Sequence, residues 1–184
     1  MKRFPTKQLC RAGIIAALYV ALTIPLGSFA FGSIGFQIRP AEALTVLPLF
    51  YVETIPALYV GCLIANLVTG TLWDVGLGSL ASLVAAALTF ATGKLLKNSG
   101  WSPVVGGIFP VLVNAFVIPL ALIWSGAAYA GYWFMFASLL VTQAVWVYAL
   151  GIPLYYAVRA LRAKGVSAFC DNRTGEPLEA ASKN

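Results

Sequence analysis

Histidine is absent from this chain of 184 residues, and charged residues are scarce at 10% of the sequence. Soluble domains carry about 25% charged residues, and a chain that is 60% hydrophobic has too few charges to cover a water-exposed surface. A water-soluble enzyme or nucleic-acid-binding protein is therefore close to excluded, and we expect no nucleic-acid partner. Without histidine, the chain lacks the commonest general base and the commonest metal ligand.

The motifs of the usual ATP-using and hydrolytic enzymes are missing as well. The sequence contains no G-x-x-x-x-G-K-[ST] loop and no H-E-x-x-H motif, and it cannot form a Ser-His dyad. Cys10, Cys62 and Cys170 lie far apart, so neither a disulfide framework nor a zinc site follows from them. We expect no enzymatic activity, no cofactor and no metal, but a small substrate-binding membrane subunit that depends on partners for energy.

What the sequence does contain is a series of long apolar runs separated by turn-forming glycines and prolines. A membrane-spanning helix needs about 20 mostly apolar residues. The six apolar stretches are residues 9–26, 41–52, 54–72, 79–96, 103–124 and 132–161. They predict an all-α integral membrane protein with one transmembrane domain at residues 9–164, a basic cytoplasmic head at residues 1–8 and a disordered cytoplasmic tail at residues 165–184. Residues 28–30 could be a signal-peptide cleavage site, but five further spans favour an uncleaved first helix.

The second stretch is short for a membrane span and could instead be re-entrant. About twelve residues of α-helix rise about 18 Å, whereas the apolar core of a bilayer is about 30 Å thick. Cytoplasmic loops carry an excess of Lys and Arg, and all three basic clusters fall inside only if this stretch crosses. The groups are Lys2, Arg3, Lys7 and Arg11; Lys94 and Lys97; and Arg159, Arg162 and Lys164. We therefore predict six crossings of the cell membrane, with both termini cytoplasmic.

This topology gathers polar residues in the outer half of the bundle. Six of them lie at outer helix ends or at mid-depth: Arg39, Glu42, Asn66, Asp74, Asn114 and Gln143. Ionisable and amide groups at membrane depth are costly and usually face the bundle interior or a cavity. Their position predicts a cavity that is open to the outside. We expect Glu53, in the inner turn before the third stretch, to be solvated.

Aromatic residues surround the same end of the predicted bundle. They are Phe29, Phe31, Phe36, Trp73, Trp124, Tyr129, Tyr132, Trp133 and Phe134. They could form an interfacial belt, or they could close a pocket for a flat ligand whose polar groups meet carboxylates and amides. The polar residues also have structural explanations, because Arg39 and Glu42 could pair with each other, the two carboxylates could cap helices, and the amides could join helices.

Two ridges of small residues run along the first span. One is formed by Ala12 and Ala16, and the other by Gly13, Ala17 and Ala21. Such small-xxx-small patterns let another helix approach closely. The ridges serve either packing inside the bundle or, if they face lipid, docking of a partner membrane subunit.

One region of the sequence has a recognisable pattern. It consists of Phe36-Gln37-Ile38-Arg39, Ala41-Glu42-Ala43-Leu44, Leu47-Pro48, Ile55-Pro56, Gly61-Cys62, Ala65-Asn66, and Asp74 followed by Gly78-Ser79-Leu80-Ala81. This pattern, within residues 35–87, resembles the QueT family of predicted uptake proteins for queuosine precursors, which are substrate-binding (S) components of energy-coupling factor (ECF) transporters. Pro40 departs from the family pattern, which often has a small residue there.

The resemblance implies a substrate, partners and site residues. The substrate would be a 7-deazaguanine such as preQ1, preQ0 or queuine, and the partners would be a transmembrane coupling subunit and two cytoplasmic ATPases. From the polar and aromatic residues described above, we expect substrate binding by Arg39, Glu42, Asn66, Trp73, Asp74, Asn114, Trp133 and Gln143. The docking residues that the resemblance implies are Ala12 and Ala16, or Ala17 and Ala21. If Arg39 pairs with Glu42, a neutral 7-cyano compound is favoured. Another vitamin-like heterocycle, or a non-transporting scaffold role, are the alternatives.

Overall fold

The structure is a computed structural model that describes residues 6–26, 38–70, 72–96, 99–128, 130–166 and 169. Within these ranges the chain is helical and contains no strand, which confirms the all-α fold class. The α-helices among the described residues are α1 (Thr6–Thr23), α2 (Thr54–Thr69), α3 (Ser79–Leu95), α4 (Ser102–Trp124), α5 (Tyr132–Ala149) and α6 (Gly151–Ala163). Three shorter elements are the 3₁₀ turn Ile24–Leu26, the 3₁₀-helix Pro40–Leu49 and the π-helical turn Asp74–Gly78.

Several helices of the described chain are suited to a lipid environment. Four stretches are long and apolar enough to cross a membrane: Thr6–Leu26, Asp74–Leu95, Ser102–Trp124 and Tyr132–Ala163. Large hydrophobic side chains such as Leu67, Leu80 and Val141 remain exposed on the outward faces, which is typical of a surface that contacts lipid. The architecture is that of a multi-pass membrane protein, while six crossings with both termini inside remain a prediction.

The short second stretch forms a 3₁₀-helix at the centre of the bundle. Nine of its ten residues, Ala41 to Leu49, are buried, and it packs against all six α-helices. Ten residues of 3₁₀-helix rise about 20 Å, so it is shorter than the bilayer core, and such backbone is tolerated at membrane depth where protein surrounds it. Pro48 lies inside the segment and opposes a regular α-helix, because proline lacks an N–H donor and clashes with the preceding turn.

Glycines let the surrounding helices approach this central element. A Cβ atom placed on Gly93 would lie 2.5 Å from the backbone oxygen of Leu49, and one on Gly106 would lie 2.9 Å from its side chain. On the other side of the bundle, a Cβ on Gly61 would lie 2.9 Å from Cβ of Tyr19. The contacts at Gly93 and Gly61 leave no room for a larger residue, so α3 and α2 depend on glycine there, whereas at Gly106 the end of the Leu49 side chain would have to shift.

Basic residues gather at one end of the bundle, which we call the basic end. The guanidinium carbons of Arg11 and Arg162 lie 3.9 Å and 5.3 Å from the ring centre of Tyr51, and Lys94 lies in the last turn of α3. The arrangement agrees with the sequence expectation that these groups share one side. Lys2, Arg3, Lys97 and almost all of the predicted tail lie outside the described residues.

The last predicted span is two helices rather than one. Helix α5 ends at Ala149 and α6 begins at Gly151. Pro153 explains the break, because a proline ring clashes with the carbonyl of the residue four positions earlier, which is Ala149. The turn brings α6 against the 3₁₀-helix, where Tyr155 stacks on Phe50 at a ring-centre distance of 4.8 Å.

Candidate functional site

A buried carboxylate, Glu42, lies in the first turn of the 3₁₀-helix, where the helix dipole favours an anion. Its Oε2 accepts a hydrogen bond from Asn114 Nδ2 at 3.2 Å, and its Oε1 lies 4.0 Å from a terminal nitrogen of Arg39. The Tyr19 hydroxyl donates to Oε1 at 3.4 Å, and the Gln143 side chain interacts with the carboxylate. We call these five residues the carboxylate cluster.

The carboxylate cluster lies near the middle of the bundle. Asn114 is twelve residues into α4, which places it about 18 Å along a helix of about 34 Å. Gln143 has a similar central position in α5. Groups of this polarity at membrane depth are costly and mark functional sites.

The cluster retains a free hydrogen-bond acceptor. Gln143 Oε1 is buried and has no hydrogen-bond partner within the described part of the chain. The hydroxyl of the neighbouring Thr142 is likewise buried and has no hydrogen-bond partner in this part of the chain. An unpaired buried acceptor costs free energy unless something donates to it, so the arrangement is suited to a ligand with N–H donors.

A second group of polar residues joins α2 to the start of α3. We call it the amide cluster, and it consists of Cys62, Asn66, Asp74, Ser79 and Ser82. Asn66 Nδ2 donates to the backbone oxygen of Asp74 at 2.9 Å and lies 3.4 Å from Cys62 Sγ. Asn66 Nδ2 also lies 3.5 Å from Ser79 Oγ. Ser82 Oγ lies 3.2 Å from Cys62 Sγ. Asn66 therefore holds neighbouring elements together, which is the structural explanation that the sequence left open.

Asp74 belongs to this amide cluster through its backbone and lies in the π-helical turn. Its side chain is buried, with 4% of the residue exposed. Turns of this type recur at functional sites, and Asn66 fixes the turn by bonding its first carbonyl. The two acids of the predicted site are thus both buried, each at the beginning of a helical element.

Tyr19 and Cys62 connect the two clusters and were not among the predicted site residues. Their side chains interact with each other, so that Tyr19 reaches Glu42 on one side and Cys62 reaches Asn66 on the other. The sequence held a signal for both. Tyr19 is a hydroxyl-bearing residue inside an apolar span, and Cys62 precedes Asn66 by one helical turn.

The two tryptophans of the predicted site do not lie in the clusters. Trp133 is 73% exposed and packs edge-on against Tyr132 and Phe136. Trp73 is 45% exposed, with its ring centre 5.3 Å from that of Trp124. These positions fit an interfacial belt. Phe134, which also belongs to the predicted pocket, is 63% exposed, whereas Phe29, Phe31, Phe36 and Tyr129 lie outside the described residues.

The two small-residue ridges of α1 have different surroundings. Ala12 and Ala16 are partly buried and pack against the hydrophobic core that α1 shares with α2. Gly13, Ala17 and Ala21 are exposed. The first ridge therefore contributes to internal packing, whereas the second faces outward.

The expectation that Glu53 is solvated is wrong. Glu53 is only 2% exposed and forms an ion pair with Arg11. Arg11 in turn lies over the ring of Tyr51. Because the turn between the 3₁₀-helix and α2 folds against the first turns of α1, the acid meets a basic residue instead of water.

Comparisons with known proteins agree with the resemblance seen in the sequence. The chain matches the QueT transporter family over residues 9–160. It is 36% identical over 88 residues to the queuosine precursor transporter QueT of Lactococcus lactis subsp. cremoris, a match that covers 48% of this chain and 52% of that protein. The matched part spans about half the length of this curated relative. No solved structure matches the chain.

Proposed function

The chain belongs to the QueT transporter family, and on that basis we propose that it binds a 7-deazaguanine precursor of queuosine for uptake across the cell membrane. The single observation that supports a binding role most strongly is the carboxylate cluster. It combines a buried acid, Glu42, with amides from α4 and α5 at mid-depth. Ionisable groups at membrane depth are costly and commonly belong to substrate or ion sites.

The chemistry of the cluster suits the edge of a 7-deazaguanine. That edge presents ring N–H and amino donors, which a carboxylate accepts as a pair of hydrogen bonds. Glu42 supplies the carboxylate, and Gln143 Oε1 supplies a further acceptor that is unpaired in the described chain. Glu42 also contacts Tyr19 and Arg39, at 3.4 Å and 4.0 Å, but a carboxylate has about four acceptor sites, so ligand donors can add to these contacts.

The pairing of Arg39 with Glu42 favours a neutral precursor. Because the guanidinium already balances the carboxylate charge, a neutral compound such as 7-cyano-7-deazaguanine adds no net charge to the buried site. A cationic aminomethyl compound would need a second acid. Asp74 is the candidate for that role in our proposal, with Asn66 holding its turn in place and Trp73 and Trp133 as candidate stacking residues.

We further propose that the chain works as the S component of an ECF transporter. In this proposal a transmembrane coupling subunit and two cytoplasmic ATPases supply the energy, and the exposed ridge of Ala17 and Ala21 faces the coupling subunit, with the partly buried Ala12 and Ala16 beside it. Exposed small residues on α1 support this role, since they let a second helix approach closely.

Uptake of labelled 7-cyano-7-deazaguanine tests the function. In cells that make no queuosine precursor, we expect accumulation only when the chain and a complete coupling module are both expressed. Accumulation without any ATPase would overturn the ECF proposal but not the substrate. Uptake of thiamin or riboflavin instead of the deazaguanine would favour another vitamin-like heterocycle, and uptake of none would favour a scaffold subunit.

A further inference from the structure

Two consecutive residues of α5, Thr142 and Gln143, carry buried polar atoms that have no partner. Each residue is 1% exposed, and neither Thr142 Oγ1 nor Gln143 Oε1 has a hydrogen-bond partner within the part of the chain that the structure describes. An unpaired buried polar atom is costly. Two such atoms at adjacent mid-depth positions therefore indicate a molecule that binds there.

The Thr142 hydroxyl departs from the pattern of threonines on the other helices. Thr23, Thr69 and Thr92 each donate to the backbone oxygen four residues earlier, at 2.8, 2.8 and 2.9 Å, which is a common arrangement for a helical threonine. The equivalent acceptor for Thr142 is the backbone oxygen of Ser138, but this bond is not made. The Thr142 hydroxyl is therefore available to donate to a bound molecule.

Gln143 places an acceptor beside this donor. Its side chain interacts with the Glu42 carboxylate, and because an ionised carboxylate only accepts hydrogen bonds, the amide nitrogen faces Glu42 and Oε1 is turned elsewhere. Side chains of consecutive helical residues diverge by about 100°, so Thr142 and Gln143 do not satisfy each other. A molecule that lies against this face of α5 can contact both.

We propose that Thr142 and Gln143 recognise the N3–N9 edge of a 7-deazaguanine base, with Thr142 Oγ1 donating to N3 and Gln143 Oε1 accepting from N9–H (purine numbering). The inference rests on the proposed function, in which Glu42 accepts from N1–H and the 2-amino group, and it adds two specificity-determining contacts. With those donors used, N9–H is the ring donor that remains for Gln143 Oε1, which can only accept. N3 is the acceptor next to N9 and suits the Thr142 hydroxyl.

This assignment makes position 9 a determinant of specificity. In a 7-deazaguanine, carbon replaces N7, so the pyrrole proton cannot move to position 7 and stays on N9. A nucleoside or a 9-alkylated base has no proton there, and it would leave Gln143 Oε1 unpaired against a bulky group. Sites built to bond an N–H group strongly reject analogues that lack it. The site should therefore accept the free base and reject its N9-substituted derivatives.

The test compares three ligands by isothermal titration of the detergent-purified full chain. They are 7-cyano-7-deazaguanine as the parent compound, its 9-methyl derivative, and its 3-deaza analogue, in which C–H replaces N3. We expect the 9-methyl derivative to bind at least about a hundredfold more weakly than the parent. The 3-deaza analogue should bind about threefold to tenfold more weakly, the effect of one neutral hydrogen bond.

Thr142→Val tests the donor, because it keeps the side-chain shape and removes the hydroxyl. We expect it to weaken binding of the parent about threefold to tenfold and to leave binding of the 3-deaza analogue unchanged, since that analogue has no acceptor for the hydroxyl. Thr92→Val is the matched control, because the Thr92 hydroxyl already donates to Leu88 within α3. It should leave all three affinities unchanged.

Gln143→Ala tests the acceptor, because it removes Oε1 and opens space beside N9. We expect the preference for the parent over the 9-methyl derivative to fall at least about tenfold. The melting temperature of each variant without ligand shows whether it is folded, and the comparison of ligands on the wild-type chain needs no variant.

The outcomes separate this inference from the function on which it rests. If the wild-type chain binds the parent and the 9-methyl derivative equally well, the edge assignment is overturned while the 7-deazaguanine proposal stands. If Thr142→Val weakens binding of the parent and of the 3-deaza analogue by the same factor, the hydroxyl serves packing or a buried water, and its contact with N3 is overturned. If Gln143→Ala keeps the full preference for the parent, the Gln143 contact is overturned. If no 7-deazaguanine binds to the folded wild-type chain, the proposed function and this inference both fail.

Discussion

At the scale of single residues, Glu42 lies where four elements meet. The 3₁₀-helix carries the acid, and α1, α4 and α5 each supply one side chain that contacts it. We predict that Glu42→Gln weakens binding of a 7-deazaguanine about tenfold or more, because a charged hydrogen-bond acceptor is replaced by a neutral amide of the same shape. Isothermal titration of the purified protein measures the effect. Equal affinities for the wild-type and variant proteins would show that the ligand does not contact this acid.

Tyr19 should act on the same ligand by positioning the acid. Tyr19→Phe removes only the hydroxyl that donates to Glu42 at 3.4 Å, so we expect affinity to fall about threefold, in keeping with a weak neutral hydrogen bond of about 0.5–1 kcal/mol. Tyr148→Phe is the matched control, because its hydroxyl donates to the backbone oxygen of Val104 outside both clusters. A drop of equal size in both variants would mean that the effect is a general one on packing.

At the scale of the elements, the contact between α3 and the 3₁₀-helix depends on Gly93. We predict that Gly93→Ala lowers the free energy of unfolding by about 1–3 kcal/mol, which is the usual cost of overpacking. The new Cβ would lie 2.5 Å from a backbone oxygen. Thermal unfolding in detergent measures this. Gly13→Ala serves as the comparison: with nothing within 4 Å of its Cβ, it should be neutral or stabilising.

The elements also show what the sequence could predict. Long apolar runs predicted the helical segments, because composition alone determines which stretches suit a membrane. They did not predict the 3₁₀ geometry of Pro40–Leu49 or the break at Leu150, which depend on the prolines at 48 and 153. Apolar length does not distinguish a buried central element from a lipid-facing one.

The candidate site, like the helices, could be predicted from the sequence only in part. Scarcity of charge made Glu42, Asn114 and Gln143 stand out from the sequence, and the structure brings these three together. The contact between Tyr19 and Glu42 joins residues 23 positions apart, and the ion pair of Arg11 with Glu53 joins residues 42 positions apart. No local periodicity encodes such pairs, because they arise only when separate helices pack.

At the scale of the whole molecule, the ion pair of Arg11 with Glu53 places the first turns of α1 and α2 at the same end of the bundle. The chain between α1 and α2 must therefore return from the far end of α1, as the positions of the basic clusters predict. With the basic end cytoplasmic, a cysteine introduced by Ala128→Cys should react with an impermeant maleimide in intact cells, whereas Cys10 should react only after permeabilisation. Both positions are exposed. The opposite labelling pattern would invert the topology.

The measurement that tests the central claim most directly is the thermal stability of the detergent-purified protein with a panel of ligands. The panel contains 7-cyano-7-deazaguanine, 7-aminomethyl-7-deazaguanine, queuine, guanine, thiamin, riboflavin and biotin. A ligand present at about 100 times its dissociation constant stabilises the fold by about 2.7 kcal/mol, which gives a clear rise in melting temperature. We predict a rise with a 7-deazaguanine that is reduced to about half or less in Glu42→Gln, and none with the vitamins. A folded protein whose melting temperature responds to no deazaguanine, or responds equally in Glu42→Gln, would contradict the account.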